Sequence, residues 1–84
     1  MEISVEDRIY FIIGDILGTD KSLLKPESRF IEDLNAQSID ILDIMVSCEE
    51  EFNIDIDEFE LYKHKKIQTV EDLILIIEET IKNK

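Results

Sequence analysis

Ser38-Ile39-Asp40-Ile41-Leu42-Asp43-Ile44-Met45-Val46-Ser47-Cys48-Glu49-Glu50-Glu51-Phe52 is the stretch whose period decides the fold. Stepped at about 100° per residue, Ile41, Ile44, Met45, Cys48 and Phe52 gather on one side as a stripe suited to burial. Asp40, Asp43, Ser47, Glu50 and Glu51 take the opposite, acidic side. Ile39 and Val46 lie away from the centre of the stripe and are expected to be exposed.

Upstream, Val5, Ile9, Ile12 and Ile16 recur at spacings of four, three and four, with Ile13 beside them. This predicts an amphipathic helix over about 5–17, with Ser4 and Asp7 as a capping pair and Gly18 as its stop. From Gly18 to Gln37 the period is lost and Thr19, Asp20, Ser22, Pro26 and Ser28 supply turn chemistry. A connection this long in a small domain requires anchors or a function, and Leu23, Leu24, Phe30, Ile31 and Leu34 are the candidate anchors. Downstream, Asn53 to Asp57 reads as a polar break, and Glu58 to Tyr62 as a short helical piece. Thr69 with Asp72 repeats the capping pattern ahead of a last helix, whose stripe is Val70, Leu73, Ile74, Ile77 and Ile81 and which reaches about Lys82. Only Asn53 to Asp57 alternates as a strand does, too briefly to build a sheet. The expected fold is all-α: a small four-helix bundle of three main helices and one short one, with a long loop between the first two.

Length and composition narrow what such a bundle does. In 84 residues, 21 Asp and Glu stand against 9 Lys and Arg, a net charge of 9 − 21 = −12. A domain typically takes roughly 100 to 200 residues, so a single domain over 1–84 is expected, without room for a large enclosed active site. The apolar fraction of 44% is that of a chain that folds rather than of an acidic disordered tail. Nucleic acid and anionic lipid would be repelled by this charge, and basic protein surfaces attracted. The longest purely apolar run, Leu73 to Ile77, falls far short of the ~20 residues of a membrane span. The stretch Met1 to Asp7 lacks the basic and apolar regions of a signal peptide, so none is expected. Cys48 is the only cysteine and reads as a core residue; with no internal disulfide, a cytoplasmic setting is expected. A monomer is expected because the apolar stripes satisfy one another. Self-repulsion opposes compaction, so added salt or divalent cations should raise the melting temperature; a temperature indifferent to both would refute this.

The acidic clusters do not fit a calcium loop, which requires Gly at its sixth position and a bidentate Glu at its twelfth. Starting at Asp33 puts Ser38 and Ile44 there; starting at Asn53 puts Glu58 and His64 there. The only histidine, His64, lies in the basic cluster Lys63-His64-Lys65-Lys66 and reads as solvated rather than as a catalytic base. One Cys and one His do not make a closed zinc site, and Gly14 and Gly18 alone do not make a phosphate loop. No self-contained active site is legible, so the chain is not expected to be an enzyme. Ser38 remains, after a polar loop and at the start of a helix with an acidic face. Position alone makes it an N-cap. An accessible serine beside the positive end of a helix also suits a phosphate ester.

The run Phe30-Ile31-Glu32-Asp33-Leu34-Asn35-Ala36-Gln37-Ser38-Ile39-Asp40 closely resembles the signature of the acyl carrier protein family, F-x-E-D-L-G-A-D-S-L-D. Glu49-Glu50-Glu51-Phe52 with Ile54 and Ile56, and Ile67-Gln68-Thr69-Val70, resemble its continuation, so that the likeness covers nearly the whole chain. The resemblance implies a carrier, on which a phosphopantetheinyl transferase moves 4′-phosphopantetheine from coenzyme A to Ser38, with magnesium in the transferase site. Acyl groups would be held as thioesters on the arm and delivered to acyl-transferring and synthase enzymes of fatty-acid or related lipid and polyketide biosynthesis. It also implies that the acyl chain shelters between helices, with Ile41, Met45, Cys48, Ile54, Ile56 and Leu61 as lining. Basic docking patches of partners would meet Asp40, Asp43, Glu49 and Glu50, with Ile39 and Val46 adding apolar contact. Asn35 stands where the family usually has Gly, and Gln37 where it has Asp before the serine. These departures, with the Lys63 to Lys66 cluster, leave room for a specialised carrier. A peptidyl or D-alanyl carrier, and a helical adaptor without a prosthetic group, are the alternatives.

Overall fold

The stripes become helices at nearly the positions their period predicts. In the computed structural model, which describes residues 3–84, α1 is Val5–Leu17, α2 Ser38–Phe52, α3 Glu58–Lys63 and α4 Val70–Lys82. Met1 and Glu2, part of the stretch read for a signal peptide, lie outside the described residues. No strand occurs among the described residues, only an isolated antiparallel bridge between Arg29 and Thr69. Among the described residues, no helix is long and apolar enough to cross a membrane.

Local chemistry sets the helix ends. Ser4 Oγ accepts the Asp7 N–H at 3.1 Å and opens α1, and Gly18 closes it at φ +67°, a left-handed conformation that favours glycine. Gly14 is required for a different reason. A Cβ there would stand 2.7 Å from the carbonyl oxygen of Thr19, where the chain folds back over the helix end. Asn53 ends α2 at φ +53°, a role that Asn tolerates among non-glycine residues. Thr69 and Asp72 form a reciprocal capping box on α4, with Thr69 N–H donating to the Asp72 carboxylate at 3.0 Å and Asp72 N–H to Thr69 Oγ1 at 3.1 Å.

One core joins the helices: Ile9 and Ile13 of α1, the whole α2 stripe, and Val70, Leu73, Ile74 and Ile77 of α4. Helix α1 packs on α2 and α4, and α2 on α3. Arg8 reinforces the α1–α2 contact, pairing with the Glu51 carboxylate at 2.6 Å while its guanidinium lies 4.5 Å from the centroid of the Phe52 ring. Cys48 is core, as its sequence setting predicts. Burial, aided by Glu51 and Glu49, pushes its thiol up to about 12, so it stays protonated at neutral pH.

The long loop is held by backbone as well as by side chains. After a 3-10 turn at Lys21–Leu23, Glu71 N–H donates to Pro26 O at 2.8 Å, Val70 N–H to Ser28 O at 3.0 Å and Phe30 N–H to Gln68 O at 2.9 Å. These bonds join the loop to the start of α4. Leu24 and Phe30 are buried anchors and Leu34 is half-buried, but Leu23 and Ile31, expected to anchor as well, are 67% and 54% exposed. The hydrogen-bonded backbone turns Leu24 and Phe30 inward, leaving their neighbours facing water.

Candidate functional site

Ser38 reaches its position through the last turn of this loop. Ala36 is buried and its N–H donates to Phe30 O at 2.8 Å, and Asn35 takes φ +59°, which explains how Asn serves at a position suited to Gly. The residue that caps α2 is Gln37, not Ser38. Ile41 N–H closes onto Gln37 O at 3.1 Å, and Gln37 N–H donates to the Asp40 carboxylate at 2.9 Å. The helix thus begins one residue earlier than a serine cap requires, and Ser38 occupies the first helical position, exposed. Its Oγ is therefore not spent on the helix's own N–H groups, and is hydrogen-bonded to the Tyr62 hydroxyl of α3.

Beside it runs a groove of about 370 Å³ between the loop, α2, α3 and the approach to α4. Phe30, Ile41 and Ile67 supply apolar lining, and Tyr62, Lys63 and Lys65 also border it. Of the six residues read as an acyl-chain lining, Ile41 borders this groove. Met45, Cys48 and Ile54 lie in the closed core, with Ile56 and Leu61 half-buried against it. Sequence reading missed Tyr62 and Ile67 as site residues and took Phe30 only as an anchor. No period links positions 30, 62 and 67 to position 38, so nothing local marks them.

The acidic side of α2 is less uniform than its composition. Ile39 and Val46 are exposed, at 60% and 42%, and Asp43 and Glu50 face water. Asp40 is turned back to the Gln37 N–H, Glu49 accepts the Ile56 N–H at 2.9 Å, and Glu51 is paired with Arg8. Burial is the main cause that raises the Glu49 carboxyl above its ordinary value, opposed by the Ile56 hydrogen bond. His64 follows α3 as its C-cap, exposed as its sequence setting predicts, with its ring Nε2 3.0 Å from the Glu60 carboxylate.

An all-α bundle with an exposed serine, free of capping duty, at the start of its second helix has the architecture of a small carrier. Residues 7–74 match the family model for the phosphopantetheine attachment site. The chain is similar to the acyl carrier protein of Helicobacter hepaticus, 43% identical over 67 residues, or 80% of this chain and 84% of that one. It is also similar to those of Nitratidesulfovibrio vulgaris strain Miyazaki F (45% over 65 residues, 77% and 86%) and Rickettsia canadensis (40% over 75 residues, 89% and 84%). The chain belongs to the acyl carrier protein family: it is a carrier with a 4′-phosphopantetheine cofactor, not an enzyme.

The residues around Ser38 fit that group. The hydroxyl is exposed and stands at the positive end of α2, which favours a phosphodiester. The Asp40 carboxylate, the nearest acid along the helix, is held to the Gln37 N–H. When attached, the group supplies a terminal thiol that bears acyl chains as thioesters.

Proposed function

We propose that Ser38 is the residue that carries the arm, and that the chain delivers acyl intermediates to partner enzymes of fatty-acid or related lipid and polyketide biosynthesis. The observation that carries this reading is the exposed Ser38 hydroxyl, free of capping duty, at the N-terminus of α2 and at the serine of the F-x-E-D-L signature. A phosphopantetheinyl transferase is the first partner. Acyl-transferring and synthase enzymes follow, docking basic patches on Asp40, Asp43, Glu49 and Glu50 with Ile39 and Val46 at the edge. Asp43 and Glu50 are the carboxylates most available for this, because Asp40 and Glu49 each already accept a backbone N–H. An acyl chain would enter where α2 meets α3, parting Ile41, Met45, Cys48, Ile54, Ile56 and Leu61. A monomeric, single-domain carrier in the cytoplasm is the setting this reading expects.

Intact-protein mass spectrometry after incubation with coenzyme A, magnesium and a promiscuous transferase tests the assignment. One arm, mapped to Ser38, is expected; an arm mapped elsewhere, or no gain with several transferases, would overturn it.

A further inference from the structure

The Ser38 hydroxyl is tied to a side chain from another helix. Tyr62 lies 24 residues further along the chain, in the last turn of α3. It is half-buried, lines the groove, and places its phenol oxygen on Ser38 Oγ. Neither helix's backbone needs this bond. It occupies the one atom at which the arm would be attached.

We propose, resting on Ser38 as the attachment residue, that Tyr62 is a positioning residue that latches the unmodified serine, so that the transferase must displace its phenol before the hydroxyl reacts. In attachment, Oγ forms a bond to the phosphorus on the pantetheine side of the coenzyme A pyrophosphate. The bridging P–O bond breaks with its electron pair leaving on adenosine bisphosphate, and the serine proton passes to a base on the transferase. Where Tyr62 donates, it engages the lone pair that attacks. Where Ser38 donates, its proton points at the phenol instead of at that base. In either direction the bond opposes attack. The ester oxygen of the product has no hydrogen to donate and is a poorer acceptor, so attachment ends the bond between Oγ and the phenol.

Tyr62→Phe keeps the ring in the groove and removes only the hydroxyl. Loss of a neutral hydrogen bond of ordinary net strength corresponds to about a two- to tenfold change in a rate or equilibrium constant. The test has two arms. In unmodified protein, urea unfolding of the wild type, Ser38→Ala, Tyr62→Phe and the double variant should show non-additive losses, the second substitution costing less once the first is made. With the same transferase, Tyr62→Phe should take up the arm with kcat/KM for the carrier raised by about two- to tenfold, and with an unchanged KM for coenzyme A. A structural role alone would not raise that rate. Wild-type loading at Ser38 with an equal or slower rate in Tyr62→Phe, or an additive unfolding cycle, overturns the latch and leaves the attachment reading intact. Failure of the wild type to load at Ser38 overturns the attachment reading, and the latch with it.

Discussion

If Ser38 carries the arm, Ser38→Ala should take up none from coenzyme A under conditions that load the wild type fully, yet remain folded. Loading requires an oxygen nucleophile at this position, and Ala has none. The structural cost is small because Ser38 is not the cap. A lost N-cap costs about 0.5 to 2 kcal/mol, but that role belongs to Gln37, whose N–H and carbonyl make the capping contacts of α2. What the variant loses is the hydrogen bond to Tyr62, about 0.5 to 1.5 kcal/mol. Part of this is recovered because Ala has a higher helix propensity than Ser, by up to about 0.5 kcal/mol. The balance is a destabilisation of no more than about 1.5 kcal/mol. Intact mass and a urea midpoint on the same preparation check both halves. An arm on the Ala variant would sink the assignment of Ser38, and a loss beyond about 2 kcal/mol would show that the serine has a capping role after all.

The three main helices were legible because periodicity and capping are local. Val5 to Ile16, Ile41 to Phe52 and Val70 to Ile81 each carry a stripe, and Ser4, Gly18 and Thr69 mark their ends within four residues of the atoms they bond. The loop was legible only in part. Leu23 and Leu24 are indistinguishable by composition, as are Phe30 and Ile31 as apolar anchors; Leu23 and Leu24 bond back to Asp20 and Lys21 in a local turn, whereas Phe30 is fixed by its bond to Gln68, about 40 residues away in the chain. The same limit applies at the site. Ser38 was found by its motif, whereas its partner Tyr62 comes from a helix too short to show a period. The charge of α2 was countable from the sequence. That Glu49 is drawn onto the Ile56 N–H was not, because the bond spans a break with no regular geometry. The Asp40 contact with Gln37 follows the familiar three-residue capping interval, and reading Ser38 as the cap hides it.

Phe30→Ala should remove a large part of the protein's stability, whereas Ile31→Ala next to it should be almost silent. Phe30 is 1% exposed and among the largest fully buried side chains, and truncating such a Phe costs about 3 to 5 kcal/mol. At about 0.05 to 0.15 kcal/mol per residue, 84 residues hold only about 4 to 13 kcal/mol in total. The ring also supports the route to the site. Its backbone N–H holds Gln68 and its carbonyl takes the Ala36 N–H, two residues before Ser38, so a loosened Phe30 frees the segment that delivers the serine to the start of α2. Phe30→Leu, which restores most of the volume, should cost under about 1.5 kcal/mol, and Ile31→Ala, at an exposed position, under about 0.5 kcal/mol. Urea midpoints for the three variants order them. Equal losses at 30 and 31 would mean that the loop is not anchored through Phe30. If the predicted order holds and high salt raises the urea midpoint of Phe30→Ala, the same experiment shows core packing offsetting the self-repulsion of a chain at −12.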